Sequence, residues 1–66
     1  MKLIFSNSNG EERVIAEPKD EKETMKEIHK FCEERNFKVY YVRTWMENNR
    51  KVYDVGSWSE FFYLEE

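Results

Sequence analysis

The segment RTWMENNRKVYD, residues 43–54, predicts a β-hairpin, because two short runs containing β-branched and aromatic residues flank a pair of asparagines. Asparagine tolerates the left-handed backbone that a two-residue hairpin turn requires. If Asn48 and Asn49 form that turn, the facing pairs are Arg43 with Asp54, Trp45 with Val52, Glu47 with Arg50 and Tyr41 with Gly56. Two of these pairs join opposite charges, which supports this register.

The predicted hairpin has two faces, because successive side chains of a strand point to opposite sides of the sheet. We expect one face to meet a helix, and its residues are Tyr40, Val42, Thr44, Met46, Tyr53 and Val55. The other face carries Val39, Tyr41, Arg43, Trp45, Val52 and Asp54. Only one helix is predicted in the chain, so this second face needs another role.

Residues 2–17 predict an earlier hairpin, in which Asn9 and Gly10 are the favoured pair for a type I′ turn. In that register Phe5 faces Val14, Leu3 faces Ala16 and Lys2 faces Glu17. The side chains of the first two pairs share one face, which we assign to the core. Ile4 and Ile15 are then expected on the opposite face.

A helix from about Glu21 to Arg35 is predicted between the hairpins, because Asp20 and Glu23 have the spacing of a capping box. Its buried arc is expected to contain Glu21, Thr24, Met25, Ile28, Phe31, Cys32 and Arg35. Asn36 suits the left-handed position that ends a helix, with Phe37 folding back towards Cys32.

The last segment, residues 57–64, has two interpretations. Ser57 to Glu60 matches a capping box and so allows a helix, whereas Phe61, Phe62, Tyr63 and Leu64 favour a strand. We predict the strand, with Gly56 at a bulge or bend before it. The chain is then a single α+β domain over residues 1–66, with one helix on one face of an antiparallel sheet of four strands and a predicted fifth.

Composition excludes several classes of protein. With 66 residues the chain is too short for a large enzyme with its own cofactor domain, and its single cysteine, Cys32, cannot form an internal disulfide. The apolar run Leu3–Phe5 is too short for a signal peptide or a membrane span, so we expect a cytoplasmic protein with no membrane partner. A net charge of -3 argues against a general nucleic-acid binder.

No catalytic, metal or cofactor site is predicted. His29 and Cys32 are three residues apart on the helix, but nothing supplies the further ligands that a zinc site needs. Cys32 precedes Glu33 and Glu34, whose charges disfavour a thiolate, and there is no second histidine to act as a base. The only glycines, Gly10 and Gly56, do not form a phosphate loop. We therefore predict a protein that is not an enzyme and carries no cofactor.

The second sheet face is the strongest functional signal, because aromatic and arginine side chains anchor protein interfaces. The predicted binding residues are Tyr41, Arg43, Trp45, Val52, Asp54 and Trp58. The predicted partner is a protein of unknown identity or a second copy of the chain, as a homodimer. A competing structural interpretation is that the tail from Trp58 to Leu64 folds over this face and completes a second small core.

Two other functions are weighed against protein binding. The sheet aromatics near Arg43, Arg50 and Lys51 could stack single-stranded bases, as in a nucleic-acid accessory protein. The charge balance opposes this, since both arginines are predicted to face acids. An acidic decoy for a basic site is compatible with the net charge but has no residue signature.

The strings FKVYYVRTW, residues 37–45, and VYDVGSWSEFFYL, residues 52–64, resemble small uncharacterised proteins of phages and prophages of Gram-positive bacteria. The resemblance covers the C-terminal half and carries no catalytic or binding residue over. It implies a small cytoplasmic accessory protein of a phage that binds a phage or host partner.

Overall fold

The computed structural model describes residues 1–66 as one antiparallel sheet and one helix, which confirms the predicted α+β class and the fifth strand. The elements are β1 Lys2–Ser6, β2 Glu12–Ala16, α1 Glu21–Glu34, β3 Arg43–Glu47, β4 Arg50–Asp54 and β5 Phe61–Glu65. The strand order across the sheet is β2-β1-β5-β4-β3. The edge strands β2 and β3 are therefore the two that α1 connects.

Strand β5 lies in the middle of the sheet, where it pairs with β1 on one side and β4 on the other. The tail therefore enters the plane of the sheet and does not fold over a face. The preceding residues form a bend, in which the Ser57 hydroxyl donates a hydrogen bond to the Glu60 carboxylate. Gly56, with φ +96°, reverses the chain at the start of this bend, as the predicted bend requires.

The second hairpin has the predicted register between Arg43–Asp54 and Glu47–Arg50. Asn48 and Asn49 have φ values of 51° and 63°, the left-handed pair of a type I′ turn.

The register does not extend to the predicted pair of Tyr41 with Gly56, because β3 begins only at Arg43. The Tyr40 N–H donates instead to the Val55 carbonyl at 3.1 Å, and the turn at Gly56 takes the chain out of the ladder.

The predicted register of the first hairpin is wrong by one position near its loop. Ser8, Asn9 and Gly10 form a three-residue loop, in which Gly10 is left-handed at φ +80° and Asn9 is not. The Asn7 side-chain oxygen accepts the N–H groups of Asn9 and Glu11 at 2.9 and 3.1 Å. This local bonding favours an ordinary turn followed by a left-handed glycine over the type I′ turn.

The shifted register exchanges two side chains between the faces of the sheet. Val14 faces Ile4 and is half exposed, whereas the prediction placed it opposite Phe5 in the core. A bulge restores the predicted pair of Leu3 with Ala16, and Ile15 packs against the core. The predictions for Val14 and Ile15 are therefore corrected.

Helix α1 has the predicted caps. The Asp20 carboxylate accepts the Glu23 N–H at 2.8 Å, and the Phe37 N–H donates to the Cys32 carbonyl at 2.8 Å. Asn36 is left-handed at φ 57°, which ends the helix one residue before the predicted Arg35. With 14 residues and many charges, α1 is not long and apolar enough to span a membrane.

The core lies between α1 and the central strands. Its buried apolar members are Leu3, Phe5, Ile28, Phe31, Cys32, Tyr53, Val55, Phe62 and Leu64. The rings of Phe5, Phe31 and Phe62 pack with centroid separations of 4.7 to 5.6 Å. A helix about 10 Å wide covers only two or three strands spaced about 4.8 Å apart, so α1 leaves an edge strand uncovered.

Strand β3 is that uncovered edge, which corrects the predicted helix-facing set. Four members of the predicted helix-facing set are exposed, namely Tyr40, Val42, Thr44 and Met46. The other two members, Tyr53 and Val55, are buried in the core as predicted. Val39, predicted on the other face, packs against the core.

Candidate interaction surface

The sheet face opposite α1 is largely closed by the sheet itself. Ile4, Val52 and Asp54 lie on this face and are 6%, 2% and 5% exposed. Val52 and Asp54, two of the six predicted binding residues, are therefore buried and contribute no contact area for a partner. Residues 61–65 lie within the sheet as β5, so no tail covers this face as the competing interpretation required, and the burial of Ile4, Val52 and Asp54 comes from the sheet itself.

An ion pair between distant strands demonstrates that the sheet is curved. Arg50 on β4 donates two hydrogen bonds to the Glu12 carboxylate on β2, at 3.0 and 2.8 Å, although β5 and β1 lie between these strands. Three strand spacings would separate β4 from β2 by about 14 Å in a flat sheet. The sheet must therefore coil so that its two corners approach each other. The Arg50 guanidinium also stacks 3.8 Å above the centre of the Tyr63 ring and contacts Glu65 at 3.3 Å.

Arg43 and Asp54 form a cross-strand ion pair with an N–O distance of 2.8 Å. Burial raises the pKa of the Asp54 carboxyl, but hydrogen bonds from Arg43 and from the Gly56 N–H lower it, and the net pKa is below its ordinary value. The Arg43 side chain stays 67% exposed and stacks 5.2 Å from the centre of the Tyr41 ring. Arg43 thus neutralises a buried acid while presenting its remaining N–H groups to solvent.

The exposed apolar side chains gather along β3 and the segment before it. We call this surface the β3 rim, and its members are Tyr40, Tyr41, Val42, Arg43, Trp45 and Met46. Trp45 is 38% exposed and packs edge-on against Phe61, while its indole N–H donates to Glu47 at 3.2 Å. Met46 is 68% exposed. The rim combines large rigid rings with polar groups, as protein interfaces do.

The backbone of β3 has an unpaired outer edge. In a two-residue hairpin the residues that flank the turn exchange hydrogen bonds, and every second residue does the same. Glu47, Trp45 and Arg43 therefore bond to β4. The N–H and C=O groups of Thr44 and Met46 point away from the sheet, and all five residues of β3 are exposed. This edge can accept a further strand.

Trp58 is the most exposed predicted residue, at 99%, and it does not belong to the rim. It lines a groove of about 440 Å³ together with Phe37 and Tyr40, over a floor that contains Phe5 and Phe62 from the core. The structure thus brings together Tyr41, Arg43 and Trp45 on the rim and places Trp58 in a groove that meets the rim only at Tyr40.

Tyr40, Val42 and Met46 are rim residues that were predicted to face the helix. For Met46 the signal is the width of the sheet, because one helix cannot cover five strands and must expose an edge strand. Tyr40 and Val42 precede β3, so the width of the sheet does not identify them.

No known protein family, curated protein or solved structure matches this chain.

The helix provides no cluster of metal-binding or catalytic groups. His29 is exposed and Cys32 is buried, and no three histidine, cysteine or acidic side chains converge anywhere in the structure. Burial raises the pKa of the Cys32 thiol. At the other end of α1 the Glu21 carboxylate accepts hydrogen bonds from Tyr53 at 2.5 Å and Lys51 at 3.1 Å, which ties the helix to β4.

Proposed function

We propose that this chain is a small accessory protein without catalytic activity that binds an extended segment of a protein along the β3 rim. The observation that carries the proposal is the combination of an unpaired strand edge at Thr44 and Met46 with exposed aromatic residues beside it. Strand addition uses such edges, because backbone hydrogen bonds supply affinity and alternate side chains supply selectivity.

The two edges of the sheet differ in the way that this function requires. The β2 edge includes Glu12 and Arg13, is interrupted by a bulge and leads into Pro18, all features that protect an edge from pairing. Strand β3 also carries two charged residues, Arg43 and Glu47, but they lie at its ends, and its centre of Thr44, Trp45 and Met46 has no charge, bulge or proline. The β3 edge is thus the better template for a further strand.

The charges of the molecule favour a protein partner over nucleic acid. Arg50 pairs with Glu12 and Glu65, and Lys51 pairs with Glu21, so two of the three basic groups that could hold phosphates beside the sheet aromatics already have acidic partners. The net charge is -3. Phage origin and the absence of enzymatic activity stay predictions.

The proposal is tested by selecting random linear peptides displayed on a surface against the immobilised protein. Met46→Pro removes an outward N–H of β3, and Trp45→Ala removes the largest side chain of the rim. The matched control is Val14→Pro, which places proline on the other edge strand at an exposed residue whose N–H also points outwards. Urea unfolding of each variant establishes that it is folded.

We expect wild type and Val14→Pro to enrich the same peptides, and Met46→Pro to lose them. Trp45→Ala is expected to bind them more weakly while remaining folded. In NMR titrations with an enriched peptide, the amide signals of Thr44 and Met46 should shift most. Failure to enrich any peptide, or equal binding by wild type and Met46→Pro, would overturn the proposal. An unfolded Trp45→Ala variant would instead assign Trp45 to the core.

A further inference from the structure

We infer that the strand that binds the β3 edge is β3 of a second copy, in an antiparallel arrangement centred on Trp45. This inference rests on the proposed function and identifies the partner for the same edge. It joins two sheets into one continuous sheet across a two-fold axis, so that each copy offers the same surface to the other.

The first argument is charge complementarity. Arg43 lies two residues before Trp45 and Glu47 lies two residues after it. An antiparallel pairing centred on Trp45 places Arg43 of each copy opposite Glu47 of the other. A pairing centred on Thr44 or on Met46 places neither charge opposite its counterpart. The strand is therefore self-complementary in one register, and opposite charges that face each other across strands stabilise pairing.

The second argument is the direction of the free backbone groups. The outward N–H and C=O groups belong to Thr44 and Met46, and the register centred on Trp45 places Thr44 of one copy opposite Met46 of the other. Residues with free groups thus face each other and can exchange both hydrogen bonds. The same register makes Trp45 and its counterpart a pair without hydrogen bonds, in which side chains approach most closely.

The third argument is that both charged groups retain bonding capacity. Arg43 keeps 67% of its side-chain surface exposed despite its bond to Asp54. Glu47 accepts only the Trp45 indole N–H. Neither group needs to abandon its contact within the copy in order to pair with the other copy.

Mass in solution tests the association. We expect light scattering over a concentration series to show a monomer–dimer equilibrium for wild type. Glu47→Arg places an arginine opposite Arg43 of the other copy, and the two-fold axis repeats this like-charge pair. The substitution should therefore raise the dissociation constant of the dimer about tenfold or more. Glu66→Arg, which makes the same charge change at an exposed residue outside β3, is the control and should leave the equilibrium unchanged.

Cysteine crosslinking tests the register. Facing residues that exchange hydrogen bonds are about 5.5 Å apart between Cα atoms, within reach of a disulfide. A mixture of the Thr44→Cys and Met46→Cys variants, oxidised by oxidised glutathione, should give a crosslinked dimer in larger yield than either variant alone. The native Cys32 is 1% exposed and stays outside the reaction.

A wild type that stays monomeric at every concentration would overturn the inference, as would equal crosslinking by the single variants and their mixture. Different outcomes decide between this inference and the proposed function. A monomer whose selected peptides are lost in Met46→Pro retains strand binding without self-pairing. Dimerisation that is unchanged in Met46→Pro would place the dimer contact outside the β3 edge and overturn the inference, while the peptide test would still decide the proposed function.

Discussion

Arg50 and Glu12 form an ion pair with two hydrogen bonds, although two strands of the sheet lie between them. Because Arg50 also covers the Tyr63 ring, this pair closes the concave face of the sheet above Ile4 and Val52. Ile4 and Val52 are thus buried although no second helix covers them. The closure also explains why the exposed aromatic residues lie at the β3 rim and not across the whole face.

Breaking this ion pair should destabilise the fold. We expect Arg50→Met to lower the free energy of unfolding by about 1 kcal/mol, because it removes three charge-assisted bonds, two to Glu12 and one to Glu65, and a contact with the Tyr63 ring, while solvent screening limits the loss. Urea unfolding at low salt measures the change. Arg13→Met, which removes an exposed arginine from β2, should change stability much less. Equal losses in the two variants would show that the Arg50 contacts contribute nothing particular.

Replacing either glycine by alanine should lower the free energy of unfolding, by more at Gly56 than at Gly10. Gly56→Ala should destabilise the protein by about 2 kcal/mol or more, because φ is +96° and the new Cβ would lie 2.9 Å from Tyr40 Cβ. Gly10→Ala has only the left-handed backbone to oppose it, since nothing lies within 4 Å, and should cost about 1 kcal/mol. Thermal and urea unfolding of both variants test this order, and the reverse order would contradict the contact between Gly56 and Tyr40.

The two hairpin loops predict opposite responses to an asparagine-to-glycine change. Asn49 is left-handed at φ 63°, so Asn49→Gly should stabilise the second hairpin by about 0.5 kcal/mol. Asn9 is not left-handed, so Asn9→Gly should destabilise the first hairpin by about 0.5 kcal/mol. Urea unfolding distinguishes them. Stabilisation by Asn9→Gly would restore the type I′ turn that the sequence predicted.

Acid should unfold the protein through its paired carboxylates. The Arg50 hydrogen bonds lower the pKa of Glu12, the Tyr53 hydroxyl lowers that of Glu21, and for Asp54 the bonds from Arg43 and Gly56 outweigh the effect of burial. Folded-state pKa values below those of the unfolded chain contribute stability above about pH 4, and this stability is lost as the pH falls through the folded values.

We therefore expect the free energy of unfolding to fall between about pH 5 and pH 2, with a shallower fall in Asp54→Asn. Urea midpoints at a series of pH values measure both curves. Parallel curves for wild type and Asp54→Asn would show that protonation of Asp54 does not contribute to the pH dependence of stability.

The locally determined parts of the fold are those that the sequence predicted correctly. The helix start depends on the Asp20 side chain and the Glu23 N–H, and its end depends on the conformation of Asn36, all within a few residues. The Asn48–Asn49 turn fixed the register of its hairpin in the same way. The first hairpin departs from its predicted register because the Asn7 side chain accepts the N–H groups of Asn9 and Glu11 and so selects a different turn.

The candidate site was predicted only in part. Tyr41, Arg43 and Trp45 are at the surface, but Val52 and Asp54 are buried, and Tyr40 and Met46 are exposed although they were predicted to meet the helix. Alternation along a strand predicts which side chains share a face. It does not predict whether that face lies at an edge or at the centre of the sheet.

The sequence by itself determined the helix and its caps, the register of residues 43–54 and the strand character of residues 61–64. Each of these depends on hydrogen bonds and side-chain preferences between near neighbours along the chain. Only the tertiary structure decided that β5 lies between β1 and β4, that β3 is therefore an open edge, and that Arg50 reaches Glu12. Those outcomes depend on which of several similar strands pack together, because the free energy of pairing comes from contacts between segments far apart in the chain.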